Sequence, residues 1–170
     1  FDSSKLDWIN NLHLAALSFD DFKSKLIPFL DALDLNYMQK INSDEIITAM
    51  RSSKPNLLGV AKDLIPYFSE LNSYDEKAAT KFLIGSEAVL EFVQRKLNSI
   101  EEWNEGSIDN VLKEAQTALS LPTPKLNQPI RIAMTGSTQS PSLGLTLSLF
   151  SLEEVNNRIN AALKYLDKLN

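Results

Sequence analysis

Between positions 115 and 152 the chain carries two basic residues, Lys125 and Arg131, and no carboxylate, with Lys113 just upstream. The same 38 residues hold Asn127, Gln128, Thr135, Ser137, Thr138, Gln139, Ser140 and Ser142. Side chains of these types donate and accept hydrogen bonds. With no acid among them they can approach a polyanion and read base edges without repelling phosphate. The simpler account of this composition is a neutral loop packed on a helical core, and composition alone favours it. Other groupings offer less chemistry. There is no cysteine, which excludes disulfides, thiolate metal sites and thiol catalysis. His13 is the one imidazole, so a hydrolase built on Ser140 or Ser142 would have no other imidazole base. It lies in a helical stretch, residues 8–17, and reads as a packing or surface residue. The segment from Gly136 to Gly144 lacks the G-x-x-x-x-G-K-[ST] spacing of a phosphate-binding loop. The pairs Asp20-Asp21 and Glu101-Glu102 read as solvated helix starts, and Trp8 and Trp103 as core residues.

These residues sit in a chain of 170 with ordinary globular composition, 44% apolar and 23% charged, enough to bury a core. The net charge of −5 argues against a general polyanion binder, since phosphate contact is mostly neutralisation by Lys and Arg. The charge is unevenly spread. Residues 1–114 carry 12 basic and 19 acidic groups, and residues 115–152 stand at +2. The uncharged stretch 132–152 holds Gly136, Pro141, Gly144 and many hydroxyls, too polar for a membrane span. No signal peptide is visible, and a chain that starts at Phe1 rather than Met is expected to be a piece of a longer cytoplasmic protein.

The elements that must position these side chains read as helices. Ser18 and Asp21 start one through about Leu33, with Phe22, Leu26, Phe29 and Leu30 on one face and a kink expected at Pro28. Ser43, with Asp44 and Glu45, starts a helix to about Met50, and Asn56 caps another to about Phe68. Ser73 with Glu76 starts a fourth, which Gly85 stops; Ser86 begins one to Leu97, and Ser107 one to about Leu119. Ser151 and Glu154 form an S-x-x-E box ahead of the apolar series Leu152, Val155, Ile159, Ala162, Leu166 and Leu169. Residues 120–128, with Pro122 and Pro124, read as a loop. A division near Asn72-Ser73 gives two all-α bundles, residues 1–72 and 73–170. One segment resists. Ile130, Ile132 and Met134 alternate, as do Leu143, Leu145, Leu147 and Leu149, and period two ordinarily means strand. Periodicity leaves hairpin and helices open there.

Phe1-Asp2-x-x-Lys5-Leu6-x-Trp8-x-Asn10 resembles the F-D-x-x-K-L-x-W-x-N segment that follows the catalytic part of bacterial glutamyl-tRNA synthetases. The run from Gln128 to Gly136, Q-P-I-R-I-A-M-T-G, resembles their P-L-R-x-A-L-T-G motif, and Gln139-Ser140-Pro141-Ser142-Leu143 is close to their Q-S-P-x-L. Leu57-Leu58, Tyr67-Phe68 and Glu102-Trp103 fall in family order, so the resemblance covers essentially the whole chain. It implies an anticodon-binding region of two all-α bundles and resolves the alternating segment toward short helices around a loop. By resemblance Arg131, Ser140, Pro141 and Leu143 contact anticodon bases, with Pro141 and Leu143 as an apolar surface, and Lys113 adds a basic contact. The first-base reader of the family, an Arg, falls on Lys54, with Arg51 one turn earlier. Lysine lacks the bidentate fork, which leaves discrimination between glutamate and glutamine tRNA open. His13 stands where relatives commonly have Tyr.

The ATP-binding motifs of the class are absent from these residues, so the chain is not expected to aminoacylate alone or to hold a cofactor. ATP and magnesium belong to the parent enzyme, expected to be a monomer with tRNA and its own catalytic domain as partners. The competing reading is a helical interaction or scaffold module whose loop docks a protein.

Overall fold

The computed structural model describes residues 3–168, and among them every regular element is helical. The chain divides into two compact units, Phe1–Glu70 and Leu71–Asn170, two residues ahead of the boundary expected from sequence.

In the first unit α1 (Ser3–Ala16) is followed by α2 (Phe19–Ala32), α3 (Ser43–Met50) and α4 (Leu57–Phe68). Ser18 caps α2, its Oγ accepting the Asp21 N–H at 3.1 Å, and Asn56 caps α4 by accepting the Gly59 N–H at 2.8 Å. These caps satisfy donors that a helix leaves unpaired at its start. Asn42 rather than Ser43 flanks α3, and Ser43 is buried as its first residue. Helix α2 runs through Pro28 and packs on α4; Phe22, Leu26 and Leu30 of the one and Val60, Ala61 and Leu64 of the other are fully buried. Trp8 contradicts its expected core role: it is 62% exposed on α1.

The second unit holds α5 (Glu76–Ala78), which runs on as a π-helical turn over Ala79–Leu83. Then come α6 (Glu87–Leu97), α7 (Glu105–Ala118), α8 (Thr123–Thr135), α9 (Leu143–Ser148) and α10 (Leu152–Asp167). Two helix starts differ from expectation by the choice of capping residue. Asp75, not Ser73, accepts the Ala78 N–H at 2.7 Å, and Asn104 takes the Ser107 N–H at 2.9 Å, so α7 begins ahead of Ser107. Ser151 and Glu154 form the full reciprocal box on α10. The expected loop at 120–128 gives way to α8 from Thr123, because Pro122 and Pro124 fall at the N-cap and first turn, where a missing N–H costs nothing. Trp103 is half-buried and ties the approach to α7 by donating its Nε1–H to the Phe150 carbonyl at 2.8 Å.

Helix α8 resolves the alternation. The π turn, α6, α7, α9 and α10 all pack against it, so Ile130, Ile132, Ala133, Met134 and Thr135 are all buried. Leu126, Pro129, Ile130 and Ala133 keep the helical spacing, and neighbours on several sides of the C-terminal half bury Ile132, Met134 and Thr135 besides. The period-two pattern there is incidental. Gly136 ends α8 at φ +74°, a left-handed cap open to glycine at little cost, and its carbonyl accepts the Asp75 N–H at 2.8 Å.

Candidate nucleic-acid interface

The segment 137–142 joins α8 to α9 and is fastened at its far end through one carbonyl. The Pro141 oxygen accepts from Arg131 Nη2 at 3.3 Å, from Ser140 Oγ at 3.1 Å and, more weakly, from Thr146 Oγ1 at 3.4 Å. Thr146 is fully buried and donates principally to Ser140 Oγ at 2.9 Å. At the near end Thr135 Oγ1 donates to the Arg131 carbonyl at 2.9 Å, and Ser137 Oγ donates to the Gln139 carbonyl at 3.1 Å. A short loop held this way has little conformational entropy left to lose on binding. Gln139 is exposed, and Ser137, Thr138, Ser140 and Pro141 are part-exposed, so the loop presents hydroxyls, an amide and a proline ring to solvent.

Of the residues expected to contact bases, the structure gathers Arg131, Ser140 and Pro141 into this arrangement. Leu143 departs from expectation: its side chain is 3% exposed and belongs to the core, so it adds nothing to an apolar surface for base faces. Its position at the start of α9 turns it inward, leaving only its peptide group near the loop. Lys113 is exposed on α7, which packs on α9, and its cation lies in solvent.

Three contributors were invisible to spacing. Thr146 is one. The others are Glu105 and Asp109, one turn apart on α7. Glu105 Oε1 accepts from Ser142 Oγ at 2.9 Å, while Ser142 caps α9 by accepting the Leu145 N–H at 3.4 Å. The Asp109 carboxylate occupies the space beside Gly144, where a Cβ would stand 2.1 Å from Oδ1. The stretch that lacks acids in sequence therefore has two brought to it by α7. The one polar residue in the run Leu143-Gly144-Leu145-Thr146-Leu147 was a signal for Thr146; nothing in the sequence signalled Glu105.

Arg51 and Lys54 belong to the first unit and have opposite surroundings. Arg51 turns inward, against the expectation that it reads a base. Its Nη2 donates to the carbonyls of Leu14 at 2.6 Å and Leu17 at 2.5 Å, and the guanidinium lies 4.9 Å from the Phe22 ring centre. It closes the end of α1, where carbonyls lack helical partners. Arg51→Ala is expected to cost about 1–2 kcal/mol and to fray α1. Amide exchange across α1 checks this, and unchanged protection there would show that other contacts hold the helix. Lys54 stays at the surface, with Nζ 3.7 Å from Asp63 Oδ2, both about a third exposed. A pair this open contributes little and leaves the ammonium available. Its stem covers the first turn of α4, where a Cβ on Gly59 would meet Lys54 Cβ at 2.8 Å.

Residues 21–163 match the family described as an anticodon binding domain, which is most of the chain. The chain belongs to that family. Its anticodon-binding fold also aligns with the crystal structure of a glutamate tRNA ligase from Elizabethkingia meningosepticum, at a TM-score of 0.83 and 20% identity, over 98% of this chain and 33% of that one. The glutamate–tRNA ligase of Myxococcus xanthus is 33% identical over 165 residues, covering 96% of this chain and 34% of that protein. Glutamate–tRNA ligase 2 of Halorhodospira halophila is 28% identical over 98% of this chain and 35% of its own length. This anticodon-binding domain spans about a third of the length of the curated relatives it matches. Among the described residues no group of three or more His, Cys, Asp or Glu side chains is placed to hold a metal ion, and no helix is long and apolar enough to cross a membrane.

Proposed function

We propose that this chain is the anticodon-binding region of a glutamate–tRNA ligase, which joins glutamate to its tRNA at the expense of ATP with magnesium. The observation that supports it best is the fastened 137–142 loop, within a stretch, residues 115–152, that carries Lys125 and Arg131 and no acid of its own. Anticodon bases are unstacked and can be read on their Watson–Crick edges by hydroxyls, amides and peptide groups held in place. Arg131 and Ser140 order the loop, Pro141 offers a ring face for a base to lie against, and Lys113 supplies positive charge from α7. Lys54, on the other unit, is the reader of the first anticodon base. ATP and magnesium are held by the part of the ligase outside this chain. The partners are glutamate tRNA and that catalytic part, in a cytoplasmic monomer; glutamine tRNA is a second substrate only where Lys54 fails to discriminate.

Titration of this chain with the anticodon stem-loop of glutamate tRNA at moderate salt tests the reading. Saturable binding that weakens when anticodon bases are changed is expected. No saturable binding to any loop would leave the helical scaffold module in its place. Within the same titration Lys113→Ala should weaken every loop and lower the slope of log affinity against log salt by about one unit. An unmoved slope removes Lys113 from the interface.

A further inference from the structure

Glu105 and Ser142 are 37 residues apart in sequence and exposed, yet their side chains meet at 2.9 Å. Ser142 is the last residue of the loop and the cap of α9, so its hydroxyl serves both: it accepts the Leu145 N–H and donates to Glu105. One turn along α7, Asp109 fills the space that Gly144 leaves, which seats the first turn of α9 directly on α7. The loop is thus tied from three helices: by Arg131 of α8 and Thr146 of α9 at Pro141 and Ser140, and by Glu105 of α7 at Ser142.

We infer that Glu105 is a positioning residue for anticodon reading, acting through Ser142 to hold the far end of the loop in register with the bases. This rests on the anticodon-binding reading above. Glu105 itself touches no base. A carboxylate beside RNA repels phosphate from every loop sequence alike, so its presence at an RNA-facing loop needs a compensating role. The hydrogen bond to Ser142 is that role: it trades uniform affinity for a fixed loop, and therefore for discrimination between bases.

Substituting Glu105 separates the two effects, because Glu105→Gln and Glu105→Ala lose the same charge while only glutamine keeps an acceptor for Ser142. The quantity to measure is the ratio of affinities for the matched anticodon stem-loop and for one with a changed central base. With Glu105→Gln that ratio should stay near the wild-type value. With Glu105→Ala it should fall about tenfold, as it should with Ser142→Ala, and the double variant should fall no further. A ratio that is unchanged in Glu105→Ala, or equally reduced in Gln and Ala, overturns the inference, and so do additive effects of the two alanines. Amide exchange of residues 137–140 and 142 supplies a readout that needs no RNA: it should quicken in Glu105→Ala and not in Glu105→Gln, with the melting temperature within a few degrees of wild type. If wild-type protein binds no anticodon loop while exchange responds as stated, the function proposed above fails and the tether stands. If exchange does not respond, the tether itself is wrong.

Discussion

Gly136→Ala is expected to destabilise the second unit by about 2–4 kcal/mol. Two costs combine. At φ +74° an alanine occupies the left-handed region, which L-residues avoid at roughly 1–2 kcal/mol. The added Cβ would also stand 2.9 Å from the Ser73 carbonyl oxygen and 3.0 Å from Leu71 Cδ1. The first of these is backbone and cannot rotate away, and the Asp75 N–H bond to the Gly136 carbonyl would shift with it. Against this, alanine restricts the unfolded chain and returns about 0.4–1 kcal/mol. For a unit of this size the net loss lowers the melting temperature by roughly 10–20 °C. Urea unfolding checks the value, and a loss below about 0.5 kcal/mol, the range of an ordinary surface change, would show that the cap is not strained by a side chain. Gly136→Asn divides the two costs. Asparagine tolerates the left-handed region but still carries a Cβ, so its deficit relative to glycine isolates the contact with Ser73.

Arg131→Ala is expected to weaken the matched anticodon loop by about 1–3 kcal/mol, roughly 5- to 150-fold, with a smaller loss for mismatched loops. Arg131 is half-buried and donates to Pro141, so truncation removes one of the three donors to the Pro141 carbonyl and a cation at once. Arg131→Lys keeps the charge and loses the planar fork. Base discrimination should therefore fall in both variants, while overall affinity for RNA falls further in alanine. Stem-loop titrations across anticodon sequences measure this. An equal loss for every sequence would make Arg131 a phosphate contact and withdraw its role in reading. Because Arg131 and Glu105 both hold the far end of the loop, at the adjacent Pro141 and Ser142, their effects on discrimination should be less than additive.

The helical class and most helix starts were legible in the sequence, and the reason is local. A cap joins a side chain to an N–H two or three positions on, so Ser18, Asn56 and the Ser151–Glu154 box announce themselves within four residues. Where several cap-forming residues crowd together, the sequence names the neighbourhood and not the residue. Asp75 supplants Ser73, and Asn104 supplants Ser107, on the strength of geometry that composition does not carry.

Within the candidate site, resemblance singled out Arg131, Ser140 and Pro141, and the structure joins them at one carbonyl. Sequence by itself determined a mainly helical chain, the extent of its capped helices and the run of polar residues free of acid, and it left the segment that forms α8 and α9 open. Only the tertiary structure decided which of these residues face solvent. It turned Leu143 into the core and Arg51 onto the end of α1, and it covered the C-terminal half of α8 on several sides, so that Ile132 and Met134 are buried beside its helical stripe. It also set Glu105 and Asp109 against a loop that is acid-free only along the chain. Burial and charge are properties of neighbours in space, and the neighbours of this loop come from a helix more than thirty residues upstream.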